Sequence, residues 1–201
     1  MSWTSPDRAA TREFFGPRAA TWDERFPDDG PAFATAVDAL ALAAGGVAVD
    51  LGCGTGRALP HLRERVGADG RVLGLDVTPE MVAVAAGRGP AVVGDAVCVP
   101  AADGSCDAVF AAGLLHHLAD PHDGLREWAR IVRPGGRLAL FHPIGRAALA
   151  ARRGHELSPD DVRDPANLAA ALASTGWVLL ELDDGDERYL AVATRDRSSA
   201  S

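Results

Sequence analysis

The densest group of chemistry-bearing residues is Asp50-Leu51-Gly52-Cys53-Gly54-Thr55-Gly56, directly after the apolar run Val47–Leu51 and directly before a helical stretch. Glycines let a chain turn sharply and let a ligand approach the main chain, and a helix N-terminus presents free N–H groups. The segment therefore predicts a cofactor seat. A dinucleotide fingerprint reads G-x-G-x-x-G, but here the third glycine comes one position early and Arg57 stands where the fingerprint has Gly. That disfavours NAD.

Twenty residues beyond Gly56 stands Asp76, at the C-terminal end of a second apolar run, where an acid can accept hydrogen bonds from both ribose hydroxyls. Asp95 ends a third run and is placed to receive an exocyclic adenine amine. The three acids would line the crevice in which open α/β sheets bind ligands. His116 and His117 follow a fourth run and His142 ends a fifth, so all three should face the same cavity. A neutral imidazole there could take a proton from a hydroxyl or amine. His61, His122 and His155 read as surface residues, and no histidine pairs with acids at a metal-ligand spacing, so no metal is expected.

Positioning these groups requires strands alternating with helices. Continuous apolar runs at Val47–Leu51, Arg71–Val77, Ala91–Ala96, Asp107–Ala112 and Arg137–His142 suit parallel strands covered on both faces. Helices are predicted over Arg57–Val66, Pro79–Gly87, Asp123–Val132 and Pro165–Thr175, with a slight irregularity at Pro60. Strands Trp177–Leu182 and Arg188–Thr194, joined by Asp-Asp-Gly-Asp-Glu, predict an antiparallel hairpin that closes the sheet. The reading is one domain over 1–201. Residues 1–45 form a helical lid, with Ala32–Ala44 its clearest helix; 46–195 form the core, with a substrate-side insertion at 143–164; 196–201 are a tail.

Composition excludes several alternatives. The 201 residues carry 20 Lys+Arg against 28 Asp+Glu, a net charge of −8, and every cation is Arg. Without Lys, Schiff-base, pyridoxal phosphate and P-loop chemistry lack their amine. An acidic chain with scattered Arg predicts no nucleic-acid partner, and no apolar stretch of about 18 residues predicts a membrane span. Three cysteines without paired spacing, and no signal-like N-terminus, predict a reducing, cytoplasmic setting. The Ala- and Arg-rich, Lys-free composition resembles that of a high-GC bacterium.

In their order and spacing, VAVDLGCGTGR, GLDVTPEMVAVA, GDAVCVP, DAVFAAGLLHHLADP and IVRPGGRLAL resemble the class I S-adenosylmethionine-dependent methyltransferases of the methyltransferase type 11 group, from about Val47 through the closing hairpin. The resemblance implies a Rossmann-like α/β fold: a mostly parallel seven-stranded sheet with helices on both faces and an antiparallel C-terminal hairpin. It implies that Asp50 and the main chain of Gly52, Cys53 and Gly54 hold the methionine part of S-adenosylmethionine. Asp76 would hold the ribose, with Val77 and Met81 against the adenine, Asp95 and Ala96 at its amine and ring, and Ala112 near the cofactor. His117, and less directly His142, are the candidate catalytic groups, with His116 beside the substrate. Phe14, Phe15, Arg18, Trp22 and Phe26 recur at helical intervals, and the resemblance makes them a lid over cofactor and acceptor. The implied activity is methyl transfer to an O, N or C nucleophile of a small molecule, yielding S-adenosylhomocysteine; a non-catalytic sensor or accessory protein binding the same cofactor is the alternative.

Overall fold

The period-two alternation of each strand decides where the chain buries its apolar residues. In the computed structural model, which describes residues 8–25 and 29–197, the strands are β1 (Val47–Leu51), β2 (Arg71–Asp76), β3 (Ala91–Val93), β4 (Cys106–Ala112), β5 (Val132–His142), β6 (Trp177–Asp184) and β7 (Tyr189–Arg195). They form one sheet in the order β3-β2-β1-β4-β5-β7-β6. The first five pair in parallel, while β7 runs antiparallel to both β5 and β6. The implied seven-stranded architecture is thus observed.

Along β4 and β5, Val109, Ala111, Leu138 and Leu140 enter a core with Trp128, Trp177 and Leu168. The intervening Ala108, Phe110, Ala139 and Phe141 enter a second core with Phe33, Leu59 and Leu62. Both faces are covered, which is why the strands are continuously apolar rather than alternating. The two buried indoles donate to main-chain carbonyls, Trp128 Nε1 to Ala96 at 2.8 Å and Trp177 Nε1 to Leu125 at 2.9 Å.

The covering helices are α1 (Arg8–Phe15), α2 (Gly30–Asp38), α3 (Leu59–Val66), α4 (Pro79–Ala85), α5 (Pro121–Ile131), α6 (Arg146–Arg153) and α7 (Pro165–Ser174). Several boundaries depart from the sequence reading. Pro60 falls in the first turn of α3, so the helix starts at Leu59 and residues 54–58 form a turn after the glycine loop. Helix α5 starts at Pro121, because Asp120 caps it by accepting the His122 N–H at 2.7 Å. Strand β3 ends at Val93, so Asp95 lies beyond it, in a short bridge to Cys98. Arg133-Pro134-Gly135-Gly136 does end α5, but lies inside β5 as a bulge, since Cys106 pairs with Val132 and Ala108 with Arg137. The insertion at 143–164 contains the helix α6. The helix predicted over Ala32–Ala44 runs instead from Gly30 to Asp38.

Candidate active site

Strand order reverses between β1 and β4, and open α/β sheets bind ligands at the carboxyl ends of the strands at such a point. A cavity of about 710 Å³ opens there. It is lined by Asp50, Gly52, Cys53, Gly54, Asp76, Val77, Met81, Asp95, Ala96 and Ala112, and by Trp22, His116, His117 and His142. Groups from the ends of five strands and from the lid segment thus converge on one space.

The glycine loop is built by its backbone. Gly52, Gly54 and Gly56 have φ of +62°, +52° and +81°, the left-handed region that favours glycine. A Cβ on Gly52 would approach Leu114 Cδ1 to 2.8 Å, whereas one on Gly54 would enter open space. The loop's N–H groups are already engaged: Cys53 N donates to Leu75 O at 3.1 Å, Gly54 N to Asp76 Oδ2 at 2.9 Å and Gly56 N to Cys53 O at 2.8 Å. This corrects the expectation of free N–H groups at a helix start. With these N–H groups spent inside the loop, it offers an anion fewer donors than a free helix start would.

The three acids differ in state. Asp50 is 1% exposed, and its Oδ1 has no hydrogen-bond partner among the described residues. Burial, and secondly the nearby Asp76, push its carboxyl well above the usual carboxylate range. A buried carboxylate without a partner is costly unless a cation meets it. The α-amino group of S-adenosylmethionine is such a cation, so the seat fits the cofactor on the evidence of this orphaned oxygen and the open face at Gly54.

Asp76 bridges the loop and the next helix, with Oδ1 accepting the Thr78 N–H at 2.8 Å. Burial raises its pKa against those bonds. Its oxygens keep lone pairs for hydroxyl donors. Thr78, the N-cap of α4, makes no side-chain capping bond; Asp76 instead holds the backbone N–H of Thr78 itself. Asp95 Oδ1 accepts the Val97 N–H at 3.1 Å, while the Arg8 guanidinium lies against Oδ2 as an ion pair. Met81 is both buried and cavity-lining. The Cys53 thiol is held protonated by burial and the flanking acids, so Cys53 contributes shape and backbone only.

At the other end of the cavity the rings of His116 and His117 lie 4.1 Å apart at a tilt of 39°, and Phe15 meets His117 edge-on at 5.8 Å. Burial pushes the His117 pKa down to about 4, with Arg163, Arg153 and His142 adding to the effect, and burial, then the neighbouring His117, hold His116 well below the usual imidazole range. Both are neutral at pH 7. His142 Nδ1 lies 2.8 Å from the Ile144 carbonyl and 3.1 Å from the Ile144 N–H, so the Ile144 backbone holds this ring edge and Nε2 is the nitrogen without a hydrogen-bond partner among the described residues.

The N-terminal segment covers this space through contacts that sequence reasoning missed. Arg12 Nε donates to Val77 O at 2.8 Å, and Thr55 Oγ1 donates to Asp23 Oδ1 at 2.7 Å, with Arg88 paired to Asp23 at 2.6 Å. Trp22 and Phe15 line the cavity and meet edge-to-face. Arg18 does not reach it: its guanidinium bends back over the Phe14 ring at 4.2 Å and bonds the Phe14 carbonyl, an interaction within its own turn. Phe26 lies outside the described residues. Arg57, next to the glycine loop, lines the cavity, paired with Asp29 and stacked on Phe33 at 4.8 Å. Its place beside the motif was the one available signal; Arg8 and Asp23 had none. Among the described residues no His/Cys/Asp/Glu group is arranged to hold a metal, and no helix is long and apolar enough to cross a membrane.

Residues 49–140 match the family model for a methyltransferase domain. The chain is 39% identical over 117 residues to a 2-phytyl-1,4-naphtoquinone methyltransferase of Thermosynechococcus vestitus, covering 54% of this chain and 52% of that protein. It spans about half or less of the length of the first curated relatives it matches. Among solved structures it resembles magnesium protoporphyrin IX methyltransferase from Synechocystis PCC 6803 with bound S-adenosylhomocysteine, with a TM-score of 0.73 and 16% identity over 94% of this chain and all of that one. It equally resembles the [4+2]-cyclase SpnF, with a TM-score of 0.76 and 16% identity over 96% of this chain and 97% of that one, so at this distance likeness conveys the fold alone. Residues 49–140 thus carry the sequence of a methyltransferase domain, and the sheet order and acid-lined seat around them are those expected of a class I S-adenosylmethionine-dependent methyltransferase.

Proposed function

We propose that the protein transfers a methyl group from S-adenosylmethionine to an oxygen, nitrogen or carbon of a small molecule. The observation that carries the reading is Asp50, a buried carboxylate with an orphaned oxygen at the wall of a cavity whose far end holds three neutral histidines.

Asp50 and the main chain of Gly52, Cys53 and Gly54 hold the methionine end, and Asp76 accepts from the ribose hydroxyls. Val77 and Met81 flank the adenine. Asp95 and Ala96 meet its amine and ring, Asp95 sharing its carboxylate with Arg8. Ala112 borders the space between cofactor and acceptor. When bound, the cofactor supplies an electrophilic methyl group on a sulfonium, already a good leaving group. The protein's task is then alignment and exclusion of water. Phe15 and Trp22 close the acceptor side against water.

His117, with a pKa of about 4, is a weak base at neutral pH; it accepts a hydrogen bond from the acceptor and orients it. His142 offers its Nε2 edge as a second polar contact, and His116 packs against His117. The short lid and the insertion suit a small or medium-sized acceptor.

The test is incubation with methyl-labelled S-adenosylmethionine and a panel of small hydroxyl-, amine- and activated-carbon compounds. The reading expects label in a small-molecule product with equimolar S-adenosylhomocysteine. Micromolar cofactor binding without turnover on any acceptor would favour the non-catalytic alternative.

A further inference from the structure

Three cations line the cavity, and they are not equivalent. Arg8 is paired with Asp95 and Arg57 with Asp29, both at the cofactor end. Arg153, exposed at the rim, lines the cavity on the side of the histidines whose protonation it opposes, and no side-chain hydrogen bond or ion pair holds it among the described residues. The acids of the wall, Asp50, Asp76 and Asp95, all belong to the cofactor end, and the histidines around Arg153 are neutral. Arg163, behind them, is neutralised by both oxygens of Asp161 at 3.0 and 2.9 Å. The acceptor end therefore carries one uncompensated positive charge.

The helix that carries this charge is anchored at its first turn. Arg153 ends α6, whose first residue, Arg146, is 6% exposed and meets Asp184 at 2.8 Å, Asp164 at 3.3 Å and Asp161 at 3.6 Å. Gly154 in the left-handed conformation closes the helix. Cations in a last helical turn commonly serve the helix dipole, and Arg152 suffices for that. Only Arg153 of the two faces the cavity. Around it the walls are apolar, from Leu149, Ile144, Leu114 and Phe15.

We propose that the acceptor is an amphipathic small molecule with an apolar body and an anionic group, and that Arg153 binds that group, setting acceptor specificity. A guanidinium fork suits a carboxylate or phosphate. The anion would also offset the field that Arg153 imposes on His117, so that binding makes this imidazole a better proton acceptor. The inference rests on the methyltransferase reading, since it takes the other end of the cavity to be the cofactor's.

The test uses the full chain saturated with S-adenosylhomocysteine, with benzoate and its neutral counterpart benzamide as probes, in the wild type and in Arg153→Gln. The proposal expects benzoate to bind more tightly than benzamide to the wild type. It further expects Arg153→Gln to weaken benzoate about fivefold, leaving benzamide and S-adenosylhomocysteine within twofold. Equal affinity for the two probes, absent benzoate binding, or no effect of the substitution would overturn it. A loss of S-adenosylhomocysteine affinity in the variant would also overturn it, by assigning Arg153 to the cofactor's own carboxylate. If the wild type binds no S-adenosylhomocysteine, the methyltransferase reading itself falls, a result distinct from any of these.

Discussion

The two ends of the cavity are built by different physics. At the cofactor end, three left-handed glycines, a cross-loop bond from Gly54 to Asp76 and a bond from Cys53 to Leu75 fix one backbone path at the tips of β1 and β2. At the acceptor end the walls come from a short turn, the start of the insertion, α6 and the lid, and rings in contact replace a ladder of hydrogen bonds. The first end is determined locally. The second exists only once distant segments have met.

Asp50→Asn breaks the contrast most severely. It removes the charge that awaits an ammonium, and S-adenosylhomocysteine should bind about 100-fold more weakly, near 3 kcal/mol. The empty protein should become more stable by about 1–3 kcal/mol, because a desolvated charge is gone. The raised carboxyl pKa means that stability is fully present at low pH and lost as pH rises through the folded value, so the variant's advantage grows with pH. Denaturant titrations at several pH values, with and without ligand, check both parts.

His117→Asn sharpens the other side. The folded pKa near 4 lies below the usual imidazole value of 6.5, so this residue's stability is present above pH 6.5 and lost as pH falls towards 4. Between pH 7 and 5 the wild type should lose about 2 kcal/mol more than the variant. Equal losses would show that burial does not act on this ring.

Asp23→Ala cuts the bond that ties the lid to Thr55 and Arg88. S-adenosylhomocysteine affinity should fall about fivefold, the value of roughly 1 kcal/mol of lid closure. The smallest effect is expected at Arg18→Ala: the guanidinium stays on its own turn, so ligand affinity should remain within about twofold. A larger change would return Arg18 to the cavity.

The same contrast explains what could be read from the chain. The places of Asp50, Gly52, Gly54 and Asp76 on the cavity wall were legible because they depend on local backbone geometry at strand ends, which spacing encodes. Asp95 was legible as a residue but not as a strand end, since β3 stops two residues earlier. Arg8, Asp23 and Arg153 were not legible, because each acts on a segment far away in sequence: Asp23 on Thr55, Arg8 on Asp95, Arg153 on the histidine cluster. Arg18 was misjudged because helical spacing places residues on one face without saying which side chain bends back on its own turn. The helix in the insertion escaped notice because its first residue, Arg146, is buried only by three aspartates from other segments.

The central claim is that the acid-lined end of the cavity is a seat for S-adenosylmethionine rather than for a dinucleotide. Calorimetric titration of S-adenosylmethionine, S-adenosylhomocysteine and NADH into the wild type, Asp50→Asn and Asp76→Ala tests it most directly. The account predicts micromolar binding of the first two ligands to the wild type, strong weakening in both variants, and no binding of NADH. A folded wild-type sample that binds neither methyl-cycle ligand, or that binds NADH as well as it binds them, would contradict it.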